Sequence, residues 1–237
     1  MKKILVALLF APLMALASSA ALHLDKWPGS VADKPALQNG AKLFVNYCLN
    51  CHGASYMRYN RLTELGLTEE QVKDNLMFTA EKIGEQMRVA ARTDEQKQWF
   101  GAAPPDLTVI ARARASEHGS GADWLYTYLR QFYRDDKRPT GWNNVVFDNV
   151  GMPHILWQLQ GQQVLNHETH KLELAVPGTL SPKEYDQAIS DLVGFLVWMG
   201  EPMQEQRKQL GIIVLLFLGV LFVLAYALKK NYWKDVK

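Results

Sequence analysis

The chain has 237 residues, only two of them cysteine, and a formal net charge of +2. That charge belongs to the termini: setting aside Lys2, Lys3, Lys229, Lys230, Lys234, Lys237 and Asp235 leaves 20 basic against 23 acidic residues, a net charge of −3. A body of that sign lacks the basic footprint of a nucleic-acid binder and suits a basic protein partner.

The amino terminus opens Met1-Lys2-Lys3, runs apolar from Ile4 to Leu16 and ends in the small residues Ala17-Ser18-Ser19-Ala20-Ala21. This is the order of a secretory signal peptide, expected over 1–20 with cleavage between Ala17 and Ala21. Thirteen apolar residues are too few to cross a bilayer, which takes about 20.

Leu37, Ala41, Phe44, Val45 and Cys48 recur on one face of a predicted helix that ends in Cys48-Leu49-Asn50-Cys51-His52. In an exported chain a Cys-x-x-Cys pair has three readings. A thioredoxin-like redox motif wants a βαβ pattern, and the flanks read as helical. A structural zinc site wants four ligands, and no second cysteine pair exists. Covalent haem attachment uses both thiols on the vinyl groups and the adjoining histidine as axial ligand, and it accounts for every cysteine in the chain.

The iron's other side is filled by a methionine, by a second histidine, or by nothing. Met57 follows His52 too closely to cross over, and Met77 and Met87 lie in a charged, helix-like stretch after Thr68 where methionine fills packing gaps. Met199 and Met203 lie beside the carboxyl-terminal apolar run. Met152 sits in Asn149-Val150-Gly151-Met152-Pro153-His154, where glycine and proline impose an irregular loop that presents a side chain freely. His154 is the alternative, whereas His23, His118, His167 and His170 read as polar-surface residues.

Between the two, Pro104 and Pro105 form a rigid extended wall, and Asp106 or Thr108 is expected to begin a helix carrying Arg112 and Arg114. Either guanidinium suits a haem propionate. Lys171 to Val176 alternates like a short strand. Ser181 and Glu184 form a capping box with Pro182 at the first helical position, and Ile189, Leu192, Val193, Leu196 and Met199 give that helix an apolar stripe. It is the expected partner of the cysteine-bearing helix, crossing it at Gly40.

Leu210 to Leu228 carries no charge and is followed by Lys229, Lys230, Tyr232, Trp233 and Lys234. It reads as one transmembrane helix with its lysine side in the cytoplasm and the body of the protein outside.

These segments resemble the cytochrome c1 family, the haem subunits of ubiquinol:cytochrome c oxidoreductase (respiratory complex III), of a bacterial type. The resemblance rests on CLNCHGASYMRYNRL, PPDLTVIARAR, NNVVFDNVGMPHILW and, most specifically, DLVGFLVWMGEPMQEQRKQLGIIVLLFL. It implies one haem c on Cys48 and Cys51, axial ligands His52 and Met152, a haem wall at Pro104 and Pro105, and Arg114 as propionate partner. It further implies a subunit of a dimeric complex with cytochrome b and a Rieske iron-sulfur protein. That protein would donate one electron, which passes on to a cytochrome c. Trp99-Phe100-Gly101 depart from the small polar residues usual before the proline pair.

The expected architecture is a mainly α haem domain with long loops and a short β segment over 21–200. A juxtamembrane link at 201–209, a transmembrane helix at 210–228 and a cytoplasmic tail at 229–237 follow. The haem domain is expected in the periplasm, anchored in the lipid of a bacterial inner membrane. Another membrane-anchored c-type cytochrome, a terminal-oxidase subunit, is the alternative, and a peroxidase or ligand sensor would need an open iron.

Overall fold

A computed structural model describes residues 23–235; the expected signal peptide lies outside them. Helix α1 (Lys34–Leu43) is capped by Asp33, whose carboxylate accepts from the Ala36 N–H at 3.2 Å. It runs directly into a π-helical turn, Phe44–Cys48, closed by the Leu49 N–H on the Phe44 carbonyl at 3.0 Å. The sequence spacing suggested a straight α-helical register through Cys48. The wider turn rotates the cysteines relative to the stripe of Leu37, Ala41 and Phe44.

Helix α1 packs across the long helix near the carboxyl end of the domain, Pro182–Gly200, with its expected Ser181/Glu184 capping box and first-turn proline. The crossing is at Gly40, as the sequence suggested: a Cβ there would overlap the Asp191 carbonyl oxygen and stand 2.8 Å from the Phe195 Cβ. Phe44 and Phe195 meet beside it with ring centroids 5.5 Å apart, and all five expected stripe residues of the long helix are buried.

After the cysteines, strand β1 (Ala54–Arg58) leads into a 3-10 stretch, Tyr59–Leu65, and then α2 (Glu69–Asn75). The helix-like reading of the segment from Thr68 onward holds only for α2. Beyond it the chain returns antiparallel to β1, forming β2 (Gln86–Met87), with Tyr59 N–H on the Glu85 carbonyl at 3.1 Å and Asn60 N–H on that of Ile83 at 2.8 Å. Backbone groups taken up by that partner are lost to a helix, and Met87 becomes a fully buried strand residue.

Next come α3 (Thr93–Phe100), the short α4 (Ile110–Ala113) and α5 (Gly121–Arg130). The helix expected from Asp106 or Thr108 thus starts at Ile110 and is a single turn. Gly121 permits α5 to close on α4, since a Cβ there would overlap the Ala111 carbonyl. Two antiparallel pairs follow: β3 (Phe132–Arg134) with β4 (Trp142–Asn144), and, after α6 (Trp157–Gln160), β5 (Gly161–Asn166) with β6 (Lys171–Pro177). The expected short strand at Lys171 is β6.

The long helix Pro182–Gly200 is α7. Arg130 ties α5 to it and to the amino-terminal segment, with Nε 2.6 Å from Asp186 and Nη1 2.9 Å from Asp25. The chain then breaks at Glu201-Pro202-Met203 and resumes as α8 (Gln204–Tyr232). Helix α8 is therefore longer at both ends than the apolar run and includes most of the stretch read as a link. Its 29 residues span about 44 Å, enough to cross a membrane, and none of them is buried against the domain.

Candidate functional site

The turn that carries the motif is tight: the His52 N–H reaches the Cys48 carbonyl at 2.8 Å and the Cys51 N–H reaches it at 3.1 Å. Leu49 anchors it in the core, and Gln96, itself buried, donates to the Cys51 carbonyl at 2.9 Å. Both thiols are half-buried and free. Burial, reinforced by the neighbouring Cys51, pushes the Cys48 thiol up to about 12. A redox Cys-x-x-Cys lowers the pKa of its leading thiol, so the raised value at Cys48 is the opposite of what disulfide exchange requires.

His52 is held from one side. Its Nδ1 lies 2.7 Å from the Pro105 carbonyl oxygen, an acceptor, so the proton sits on Nδ1 and the Nε2 lone pair is left for a metal. Burial lowers the pKa of the ring, against the smaller opposing effects of the Pro105 carbonyl and Asp106, and keeps it in the neutral, ligating form.

The Pro104-Pro105 wall is positioned by Asp106, which sequence reasoning placed only as a helix start. Its carboxylate accepts from Ser55 N–H at 2.7 Å, Thr108 N–H at 2.9 Å and the Thr108 hydroxyl at 2.6 Å. The Leu107 N–H on the Gly53 carbonyl at 2.8 Å completes the attachment of this segment to the loop after His52. Burial works against the Asp106 charge, yet the hydrogen bonds from Thr108 and Ser55 hold its carboxyl below the ordinary value.

A second set of contacts surrounds Met152. Its sulfur accepts from the Tyr128 hydroxyl at 3.5 Å. Tyr128 stacks on Trp124 with centroids 4.7 Å apart, and Trp124 carries the Arg114 guanidinium 4.4 Å above its ring. Tyr128 and Trp124 were missed from the sequence; the aromatic density of Trp124-Leu125-Tyr126-Thr127-Tyr128 was the available signal. The segment 104–114 joins the two sets, with Pro105 on His52 at one end and Arg114 over Trp124 at the other.

The alternatives are placed elsewhere. His154 is buried in an aromatic slot, stacked on Phe132 at 4.9 Å and edge-on to Trp142 at 5.0 Å. Burial, partly opposed by Gln160, lowers its pKa to about 4. Met57, Met87 and Met199 are buried in the core, and Met203 is exposed beside α8. Arg112 has an acidic partner, Glu201, at 3.9 Å; Arg114 has no ion pair among the described residues. His23, His118, His167 and His170 are exposed, as are Trp99 and Phe100.

The donor set fits a haem: two free thiols three positions apart, and, among the described residues, an imidazole with Nε2 unengaged, a thioether with a lone pair to spare and a guanidinium without a carboxylate. With one apolar helix among the described residues long enough to cross a membrane, these features fit the class of membrane-anchored c-type cytochromes. The model of the Cytochrome C1 family matches residues 25–236, and the chain belongs to that family. It is 46% identical to cytochrome c1 of Allochromatium vinosum, with both chains covered completely. It is 30% identical to cytochrome c1 of Rhodospirillum rubrum, covering 86% of this chain and 83% of that one. A Nitrosomonas europaea protein named ammonia monooxygenase gamma subunit is 50% identical over 99% of this chain and 98% of its own. As a member of the family the chain carries one covalently attached haem c, is an electron-transfer protein and is anchored by one carboxyl-terminal helix.

Proposed function

We propose that this chain is the haem subunit of a quinol:cytochrome c oxidoreductase, taking one electron from a Rieske iron-sulfur subunit and passing it to a cytochrome c. Cytochrome b is the membrane partner of α8. The observation that carries the site assignment is the pinned imidazole of His52, with Nδ1 on the Pro105 carbonyl at 2.7 Å and Nε2 free.

When bound, the haem supplies one-electron exchange between ferric and ferrous iron. The residues of the chain do the rest. Cys48 and Cys51 would hold the group through thioethers, His52 and Met152 would ligate its iron and exclude small ligands, and Pro104 and Pro105 would line it. Arg114 would neutralise a propionate, because of the two it is the guanidinium without an acidic partner among the described residues, while Arg112 faces Glu201. Closed ligation suits electron transfer and disfavours peroxidase or sensor chemistry. The terminal-oxidase alternative is not favoured by a family match that runs from the amino-terminal segment through the anchor.

The domain limits follow: a signal peptide at 1–20, a haem domain at 21–200, and a transmembrane core at 210–228 entered through 201–209. The tail at 229–237 faces the cytoplasm, on the argument that Lys229, Lys230 and Lys234 stay inside, and the haem domain faces the periplasm. Purification of the tagged full chain in mild detergent tests the assignment. Co-purification of a b-type cytochrome and an iron-sulfur protein with quinol-dependent reduction of the haem is expected. Recovery with an ammonia-oxidising enzyme instead would move the chain to the complex named for the Nitrosomonas relative.

A further inference from the structure

We infer that the Tyr128 hydroxyl raises the reduction potential of the bound iron by hydrogen-bonding the second lone pair of the Met152 sulfur. Tyr128 is thus a positioning residue that acts through the axial ligand, and the inference rests on the reading of Met152 as that ligand.

A thioether sulfur has two lone pairs and is a weak hydrogen-bond acceptor. An iron uses one of them and leaves the other. The Tyr128 hydroxyl stands 3.5 Å from the sulfur, within hydrogen-bonding range for this larger atom, and no other partner of that hydroxyl occurs among the described residues. Tyr128 is buried, so water does not compete freely for the proton. Donation draws electron density from the sulfur. Ferric iron depends on that density more than ferrous iron does, so the reduced state gains relative to the oxidised one.

The hydroxyl is separable from the ring. Trp124 stacks on the ring at 4.7 Å, Phe132 meets it edge-on at 5.1 Å, and the Tyr128 carbonyl accepts from Asn144 Nδ2 at 2.8 Å. None of these contacts uses the phenolic oxygen. Phenylalanine at 128 would keep them all and lose only the bond to sulfur.

The test compares full-length, haem-loaded wild type with Tyr128→Phe in detergent, by redox titration and by the sulfur-to-iron charge-transfer band. One modest hydrogen bond corresponds to roughly a two- to tenfold change in the ferric/ferrous equilibrium. At about 59 mV per tenfold for one electron, the midpoint of the variant should fall by up to about 59 mV while haem content and the band persist. Displacement of the sulfur from the ferric iron by added imidazole should need more imidazole in the variant, by a similar factor. Absence of the band in wild type would overturn the ligand assignment itself. A band present in both proteins with equal midpoints would overturn the role of Tyr128 alone, and so would a variant that fails to retain haem, since the hydroxyl would then serve to hold the site together and not to tune its potential.

Discussion

Gly40 of α1 lies directly against the carbonyl of Asp191 in α7, so the two helices touch backbone to backbone immediately before the haem-binding turn. The cysteines follow from the same helix, and their position depends on this contact. Gly40→Ala should force the helices apart at a cost of about 1–3 kcal/mol, lowering the melting temperature by roughly 2–12 °C. Covalent haem per polypeptide should fall with it. Thermal unfolding and haem staining of the denatured chain give both readouts, and an alanine variant with unchanged melting would show that the crossing has slack.

This crossing was legible in the sequence because a glycine within an apolar stripe, a capping box and a first-turn proline are local signals. The anchor and the Cys48-to-His52 motif were legible for the same reason. What escaped depends on residues far apart in the chain. The segment after α2 looked helical by composition, yet its backbone is claimed by strand β1 and the turn that follows it. Gln96 reaches the Cys51 carbonyl across 45 positions and Asp106 reaches Ser55 across 51; neither has a spacing rule that could announce it. Tyr128 and Met152 are 24 apart, and only the folded loop brings hydroxyl to sulfur.

Asp106 gives the domain a pH dependence whose sign follows from its depressed pKa. A carboxyl held lower when folded than when unfolded contributes stability above its unfolded pKa and loses it as pH falls through the folded one. As pH falls from the ordinary carboxylate value through the lowered one, this contribution should be lost and the Pro105 wall should loosen, while stability at neutral pH keeps it in full. Asp106→Asn should be less stable than wild type at pH 7 and converge with it in acid. Denaturant midpoints measured across that range check this; parallel curves for the two proteins would remove Asp106 from the account.

Met152 and His154 separate cleanly by substitution. Met152→Leu keeps the volume and removes the sulfur, so the charge-transfer band should vanish, the potential should fall and the ferrous protein should bind carbon monoxide. His154→Phe replaces one flat ring by another in the slot between Phe132 and Trp142, and should leave the band intact and carbon monoxide excluded. Absence of the band from wild type, with carbon monoxide binding only in His154→Phe and not in Met152→Leu, would make His154 the ligand.

The anchor should be dispensable for the haem domain and indispensable for its work. Every residue of the described core lies at or before Met199, and α8 buries none of its length against the domain. A chain stopped after Arg207 still retains Glu201 with both its partners, Arg112 and Arg207, so the end of α7 keeps its local contacts. The truncated protein should be exported, carry haem with a near-normal spectrum and, on the proposed orientation, appear in the soluble periplasmic fraction. Quinol-driven cytochrome c reduction in such cells should nevertheless collapse, because a freely diffusing haem domain loses the high effective concentration that co-assembly gives it beside its donor. Haem content and quinol oxidation measured on fractions from the two strains decide the matter. A fragment unable to hold haem would make α8 part of the fold, and full quinol oxidation without the anchor would place this chain outside the quinol-oxidising complex.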